Sequence, residues 1–473
     1  MSGLHVHRSP WAGTWYPDDP AGLGQLLAEA GAASTERTGA FVRPGALAFL
    51  VPHAAPAYSG VVAASAFRNV PAAGAARAII LGFSHRHAVR GVAVPQTSCI
   101  ATPLGTVQVD RAAADALAAS PPFHSVPEEL VCDHSVEIQV PFLQVFASGM
   151  AIVPLYIGSL EAGERQTAAR ALHALMDGHT VLIASSDLTH YGPDFGYQPF
   201  ELRADTPGRL RELDMGALSA AGSLDPALFR NYLEQSGATV CGVAPIELLL
   251  ETLRGLDVEV FQETLDYQAS GELVHDYRHS VSYGAAGYFR ASAWELGPPQ
   301  QAALLQAARF SLDQFRRTRE QQFPAPVDPS LRQRGRAFVT ILERDAIRGC
   351  VGCFETPHPL AQCVPRLTLD ACADGRFGPI ENWDELEIEV HVLTPPKRIA
   401  SPDRLQPGEH GAFLKAGPCR GLLLPVVAER HGLDREHFLR VLARKAGLPE
   451  TVYSGTDWEL SIFRDQTFRE QRA

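Results

Sequence analysis

The chain has 473 residues, 46% of them hydrophobic and 20% charged, with a formal net charge of −12 at pH 7. That length exceeds what one ordinary core holds, so two soluble domains are expected, and the negative balance excludes a global field for DNA or an anionic membrane. The opening MSGLHVHRSPWAGTWYPDD lacks a secretory signal and no apolar stretch approaches the roughly 18–20 residues that span a bilayer, so the expected address is the cytoplasm.

In chain order, the first clear element is the apolar run Ala46 to Val51, followed by Pro52 and His53. A second, Ala78 to Gly82, leads into Phe83-Ser84-His85, and a third, Val181 to Ala184, into Ser185-Ser186-Asp187-Leu188-Thr189-His190. Short apolar runs bounded by turn residues read as strands buried on both faces. Helical spacing of apolar residues marks Gly60 to Val70, Val136 to Phe146, Ala162 to Met176 and Pro245 to Leu256. Further strands are expected at Ile152 to Ile157, Val258 to Tyr267 and Ser280 to Phe289, the last two antiparallel. The βα alternation predicts an α/β sandwich over residues 1–290. Ala291 to Gln300, with Gly297-Pro298-Pro299, reads as a linker that stops regular structure. Residues 301–470 then read as a separate α+β domain, with helices at Gln301 to Phe315, Leu360 to Ala373 and Arg435 to Ala446, and a strand at Glu387 to Leu393.

In open α/β sheets ligands gather at the carboxyl ends of the strands. Three such ends here carry His53, His85 and the pair Asp187 and His190. Neutral imidazoles from different strand ends suit iron, copper or zinc. Cys241 is a candidate further ligand. It precedes Gly242-Val243-Ala244-Pro245, where Pro245 suits the first position of a helix whose dipole would favour thiolate. A small buried hydrophobe is the other reading of that cysteine. Asp187 and His190 can add a ligand or a general acid/base, or Asp187 can be a helix cap. His134 and Glu137, three apart, share a helix face as metal support or as a surface pair. The eight cysteines are too sparse for a disulfide framework.

The strings PHAAPAYSG, LGFSHRH, DHSVEIQVPFL, SSDLTHYG, VCGVAPI and SVSYGAAGYF, with AGTWYP at the start, resemble the Memo (mediator of cell motility) family across residues 8 to 290. The resemblance implies a fold like that of class III extradiol dioxygenases (LigB-like). It also implies a pocket of His53, His85 and Cys241 around Fe(II), or copper, with Asp187 and His190 as acid/base groups. Ala55-Pro56 and Val243 depart from the family's usual Gly-Tyr and Arg, which leaves the substrate open.

In the second domain Arg348-Gly349-Cys350-Val351-Gly352 is the sharpest motif. Glycines beside Cys350 would leave its thiol accessible and Arg348 would favour thiolate; the alternative is a tight turn with cysteine as filler. Cys353 completes a Cys-x-x-Cys. IRGCVG, DGRFGPI, LEIEVHVLTPP, RGLLLPVV and FLRVLARKAGLP resemble the AMMECR family over residues 300 to 468. A thiol-centred site at Cys350, with Arg376 and Lys445 as anion contacts, is the expectation there. In prokaryotes the two families often accompany a radical SAM enzyme, which implies such a partner. The expected activity is a dioxygenase-like oxidoreductase acting on a small substrate, aromatic ones included. A non-catalytic metal- or peptide-binding adaptor is the alternative.

Overall fold

Nine strands form the main sheet of the first unit: β1 (Ala46–Val51), β2 (Arg77–Gly82), β3 (Val92–Pro95), β4 (Phe123–Val126), β5 (Ala151–Ile157), β6 (Thr180–Ser185), β7 (His190–Tyr191), β8 (Val260–Ala269) and β9 (Ser280–Arg290). The computed structural model describes residues 5–324, 328–354, 358–455 and 457–470. It divides the chain into two units, Met1–Arg290 and Ala291–Ala473. The sheet runs β7-β9-β1-β6-β2-β5-β3-β4, with β8 on β9. All residues of β1 and β6 are buried, as are five of six in β2, because helices cover both faces of these strands. β1, β6 and β2 are parallel neighbours, so their carboxyl ends open on one edge. β8 and β9 pair antiparallel, as their sequence alternation suggests.

The unit's helices include α1 (Pro20–Thr38), α2 (Pro56–Phe67), α3 (His134–Glu137), α4 (Gln139–Phe146), α5 (Ala162–His173), α6 (Thr206–Gly222), α7 (Pro226–Ser236) and α8 (Val243–Arg254), and a separate three-stranded sheet joins Val6–Arg8, Cys99–Thr102 and Gly105–Gln108. One layer contains α1, α2 and α4, the other α5, α7 and α8. α8 begins at Val243 rather than at Pro245, which lies inside its first turn.

The second unit holds α9 (Pro298–Thr318), α10 (Leu360–Cys372) and α11 (Arg435–Lys445). Its strands are β10 (Ala337–Glu343), β11 (Ala346–Cys353), β12 (Leu386–Leu393), β13 (Lys397–Ile399), β14 (Gly411–Ala416), β15 (Cys419–Leu423), β16 (Glu459–Phe463) and β17 (Asp465–Arg469). They make two four-stranded sheets, β11-β10-β12-β17 and β13-β16-β14-β15. Leu304 and Leu312 of α9 and Val364 of α10 pack on Val339, Ile341, Ile388 and Val390 of the first sheet. Phe438 and Leu442 of α11 pack on Leu414 and Leu460 of the second. Gly297-Pro298-Pro299 was expected to interrupt regular structure; it starts a helix, with Gly297 as N-cap and both prolines in the first turn. Proline is favoured there because the first amides of a helix have no partner to lose.

Candidate metal centre

His53 leaves β1 through Pro52 and is 2% exposed. Its Nδ1 lies 3.0 Å from Ser185 Oγ at the end of β6. That hydroxyl donates its single proton to the Ser135 carbonyl and accepts from Gln139 Nε2. It therefore accepts from His53 as well, which places the imidazole proton on Nδ1 and leaves the Nε2 lone pair free. Nε2 faces Cys241 Sγ at 3.2 Å. Burial, with His85 close by, lowers the His53 pKa to about 3, so the ring is neutral and in its ligating form.

His85 is oriented by Asp133, the N-cap of α3. Asp133 Oδ1 accepts from His85 Nδ1 at 2.9 Å and from the Ser135 amide at 3.0 Å, while Oδ2 accepts from the His85 amide at 3.1 Å. Burial of this carboxylate opposes ionisation, but the hydrogen bonds from His85 and the Ser135 amide, with His134 close by, hold its pKa low. His134, the first residue of α3, stacks on His85 with ring centroids 4.2 Å apart, and its ring lies 5.3 Å from that of His53. One nitrogen from each of His53, His85 and His134 falls within 4.8 Å of the others. His134 Nδ1 is buried and, although 3.1 Å from Asp133 Oδ1, is not aligned for a hydrogen bond. Burial and the adjacent imidazoles outweigh Asp133 and lower the His134 pKa. Trp15 and Trp11 close the far side of His134, at 4.5 and 5.3 Å, with Arg86 over Trp11.

Cys241 adjoins this cluster at His53. Its sulfur accepts from the Asp187 amide at 3.1 Å. The chain reaches this depth because Gly242 presses on β6: a Cβ there would meet Ser186 Cβ at 2.5 Å and the Ser185 carbonyl at 2.6 Å. Against the thiolate expected at a helix start, burial and the Asp187 charge push the Cys241 thiol well up. Asp187 Oδ1 accepts from the amides of His53 and Ala54, at 2.8 and 3.3 Å, and so holds the turn from β1 into α2. Burial raises its pKa to about 6 against those bonds. His190 starts β7, its amide donates to Thr239 Oγ1 at 2.9 Å, and burial lowers the pKa of its ring.

In the second unit Cys350 lies on β11. Thr340 Oγ1 donates to its sulfur at 3.4 Å, its amide donates to Asp374 Oδ2 at 3.1 Å and its carbonyl accepts from Arg376 Nη2 at 2.6 Å. Arg348, expected to favour thiolate, is paired with Glu343 at 2.6 Å. The flanking glycines serve packing: a Cβ at Gly349 would strike the Ala371 carbonyl of α10 at 1.8 Å, and one at Gly352 the Phe338 ring at 2.2 Å. Arg376 is already bound to Asp374. Lys445 closes α11, and its burial, with the Arg376 charge adding to the effect, lowers its pKa.

Sequence reasoning missed Asp133, Ser185 and Gln139, and read His134 with Glu137 as metal support or a surface pair, whereas Glu137 pairs with His7. The signal available was the Asp-His pair opening α3, a carboxylate in the N-cap position with an imidazole behind it. Among the described residues no helix is long and apolar enough to cross a membrane. The His53 Nε2 turned to the Cys241 sulfur, and a buried His134 Nδ1 that makes no hydrogen bond, fit a transition-metal ion.

Fold and cluster together define an α/β protein with a histidine-lined metal-type site at its strand ends, joined to a second, α+β unit. The chain belongs to the Memo-like protein family, which it matches over residues 8–287, and it carries an AMMECR1 domain over residues 305–468. It is 30% identical over 297 residues to the memo-1 homolog of Caenorhabditis elegans, which covers 61% of this chain and 83% of that one. It is 34% identical over 183 residues to protein PF1979 of Pyrococcus furiosus, covering 36% of this chain and 87% of that one. Among solved structures, uncharacterized protein PH0010 of Pyrococcus horikoshii aligns with 31% identity and a TM-score of 0.34, over 36% of this chain and 90% of that one.

Proposed function

We propose that the first unit is a non-haem iron redox protein, a dioxygenase-like oxidoreductase acting on a small substrate, with copper able to replace the iron. His53, His85 and Cys241 hold the ion and His134 adds a further nitrogen. The observation that carries this reading is the locked tautomer of His53 and His85, whose Nδ1 atoms face Ser185 and Asp133. Such hydrogen bonds orient metal-binding imidazoles and raise their basicity. Bound iron supplies one-electron redox chemistry. Trp11 and Trp15 form an apolar wall beside His134 that excludes water and accepts a flat, aromatic substrate. Asp187 fixes the His53 turn, and His190, neutral through burial, accepts and returns a proton.

The fused second unit presents Cys350, with Lys445 as anion contact, to the same reaction sequence, since a tether raises effective concentration. A radical SAM protein acts as external partner. Metal analysis of protein purified without oxygen, followed by O₂ uptake with catechols and indoles, tests this reading. Iron without substrate-dependent uptake would instead favour a metal-binding adaptor, which the oxidisable Cys241 beside the ion also suits.

A further inference from the structure

Two thiols of the second unit touch although they come from different elements. Cys353 ends β11, opposite Ala337 in the ladder, and Cys363 lies in the first turn of α10. Their sulfurs are 3.7 Å apart. Cys363 is 3% exposed within the apolar core, whereas Cys353 is only half-buried. The Cys-x-x-Cys spacing suggests a different pair, Cys350 with Cys353. A strand turns residues three apart to opposite faces, and Cys350 Sγ is met by Thr340 instead.

We propose that Cys353 and Cys363 form a reversible disulfide, with Cys353 as the thiol that a peroxide oxidises and Cys363 as the thiol that resolves it. The geometry supplies the order of events, because Cys353 is the more accessible sulfur and Cys363 sits behind it. Either sulfur can donate across this contact, and the Cys363 hydrogen bond holds the Cys353 thiol below the usual cysteine range, against its partial burial, with the Ala337 amide and Arg336 adding to the effect. Thiolate character and access are what make a cysteine oxidisable. In the first step the Cys353 thiolate attacks one peroxide oxygen, the O–O bond breaks, and the departing hydroxide takes a proton to become water. Cys353 is then a sulfenic acid. In the second step the Cys363 sulfur attacks the Cys353 sulfur, the S–O bond breaks, and hydroxide leaves with the Cys363 proton as a second water. Two thiols have lost two electrons and hydrogen peroxide has gained them. Closing to the ~2.05 Å of an S–S bond requires the two side chains to rotate toward each other.

The bond would tie the end of β11 to α10. The next residue, Phe354, packs its ring against Phe413 of β14 and Phe463 of β16, at 5.6 and 5.0 Å, so oxidation would fix the position where the unit's two sheets meet.

The test uses the full chain, reduced and stripped of metal by a chelator, then treated with about one equivalent of hydrogen peroxide and mapped by mass spectrometry without reductant. The expected product is a Cys353–Cys363 cross-link that dithiothreitol reverses, with Cys350 still free. Cys363→Ser should stop the reaction at a Cys353 sulfenic acid that dimedone traps. Cys353→Ser should slow oxidation of Cys363 at least tenfold. A Cys350–Cys353 cross-link would overturn the proposal. So would Cys353 carried to sulfinic acid beside an intact Cys363, or both thiols surviving while Cys241 or Cys350 is consumed.

Discussion

His87 stands two residues beyond His85 yet shares none of its surroundings. Both residues are exposed, but the His87 amide bonds to Ser84 Oγ, whereas the His85 ring and amide are held by Asp133. Replacing His53 or His85 by Ala should therefore abolish high-affinity metal binding, and His87→Ala should leave it unchanged. Metal content after anaerobic purification reads this directly, and full occupancy in both strand-end variants would refute the assignment. Asp133→Asn is the subtler change. It keeps the shape but removes the charge that orients His85 and lies beside His134, and losses of this kind typically weaken metal affinity 10–100-fold. A chelator competition titration should show that loss with the fold intact.

At the level of elements, the histidines after β1 and β2 were legible because each follows a continuous apolar run, and Asp187 and His190 because they follow a third. The remainder of the site comes from elsewhere in the chain. Asp133 is 48 residues from His85, and Ser185 is 132 from His53, so no local pattern links them. α6 escaped detection for a different reason: its buried face is built largely of small residues, among them Ala217, Ala220, Ala221 and Gly222, which leave a weak apolar stripe. Two predictions belong at this scale. A Cβ at Gly82, the last residue of β2, would meet Val136 Cγ2 at 2.5 Å and Ser135 Oγ at 2.6 Å on α3. Gly82→Ala should push α3, and His134 with it, away from His85. Overpacking of this kind costs about 1–3 kcal/mol, so denaturant titration should show lower stability alongside weaker metal binding. The second concerns His391 of β12, 1% exposed, whose Nδ1 lies 2.9 Å from Asp465 Oδ2 and whose Nε2 lies 3.3 Å from Glu389 Oε1. Burial opposes its charge, but the two carboxylates raise its pKa, while Thr467 and Arg430 complete the surroundings. A base whose pKa is raised on folding stabilises the folded state below its unfolded value of about 6.5, and that contribution is lost as pH rises through the folded value. Amide exchange over β12 and β17, corrected for intrinsic rates, should accelerate across that upward interval. His391→Gln should remove the pH dependence, and an unchanged profile in that variant would assign it to another group.

For the whole molecule, the boundary after Arg290 separates two sets of sheets. The first unit closes its nine-stranded sheet with β8 and β9, and β9 pairs back onto β1, so the sheet needs no strand from beyond residue 290. The second unit has its own cores, one between α9, α10 and the β10 sheet, the other under α11. Each has the elements a domain needs to bury its apolar faces. Residues 1–290 and 297–473, expressed separately, should each be soluble and unfold cooperatively. The metal should follow the first fragment, and the peroxide-sensitive thiol pair the second. Metal bound by 1–290 as tightly as by the full chain would show that the site is complete within its own unit. A fragment that aggregates while the full chain stays soluble would instead show that the boundary cuts a shared core.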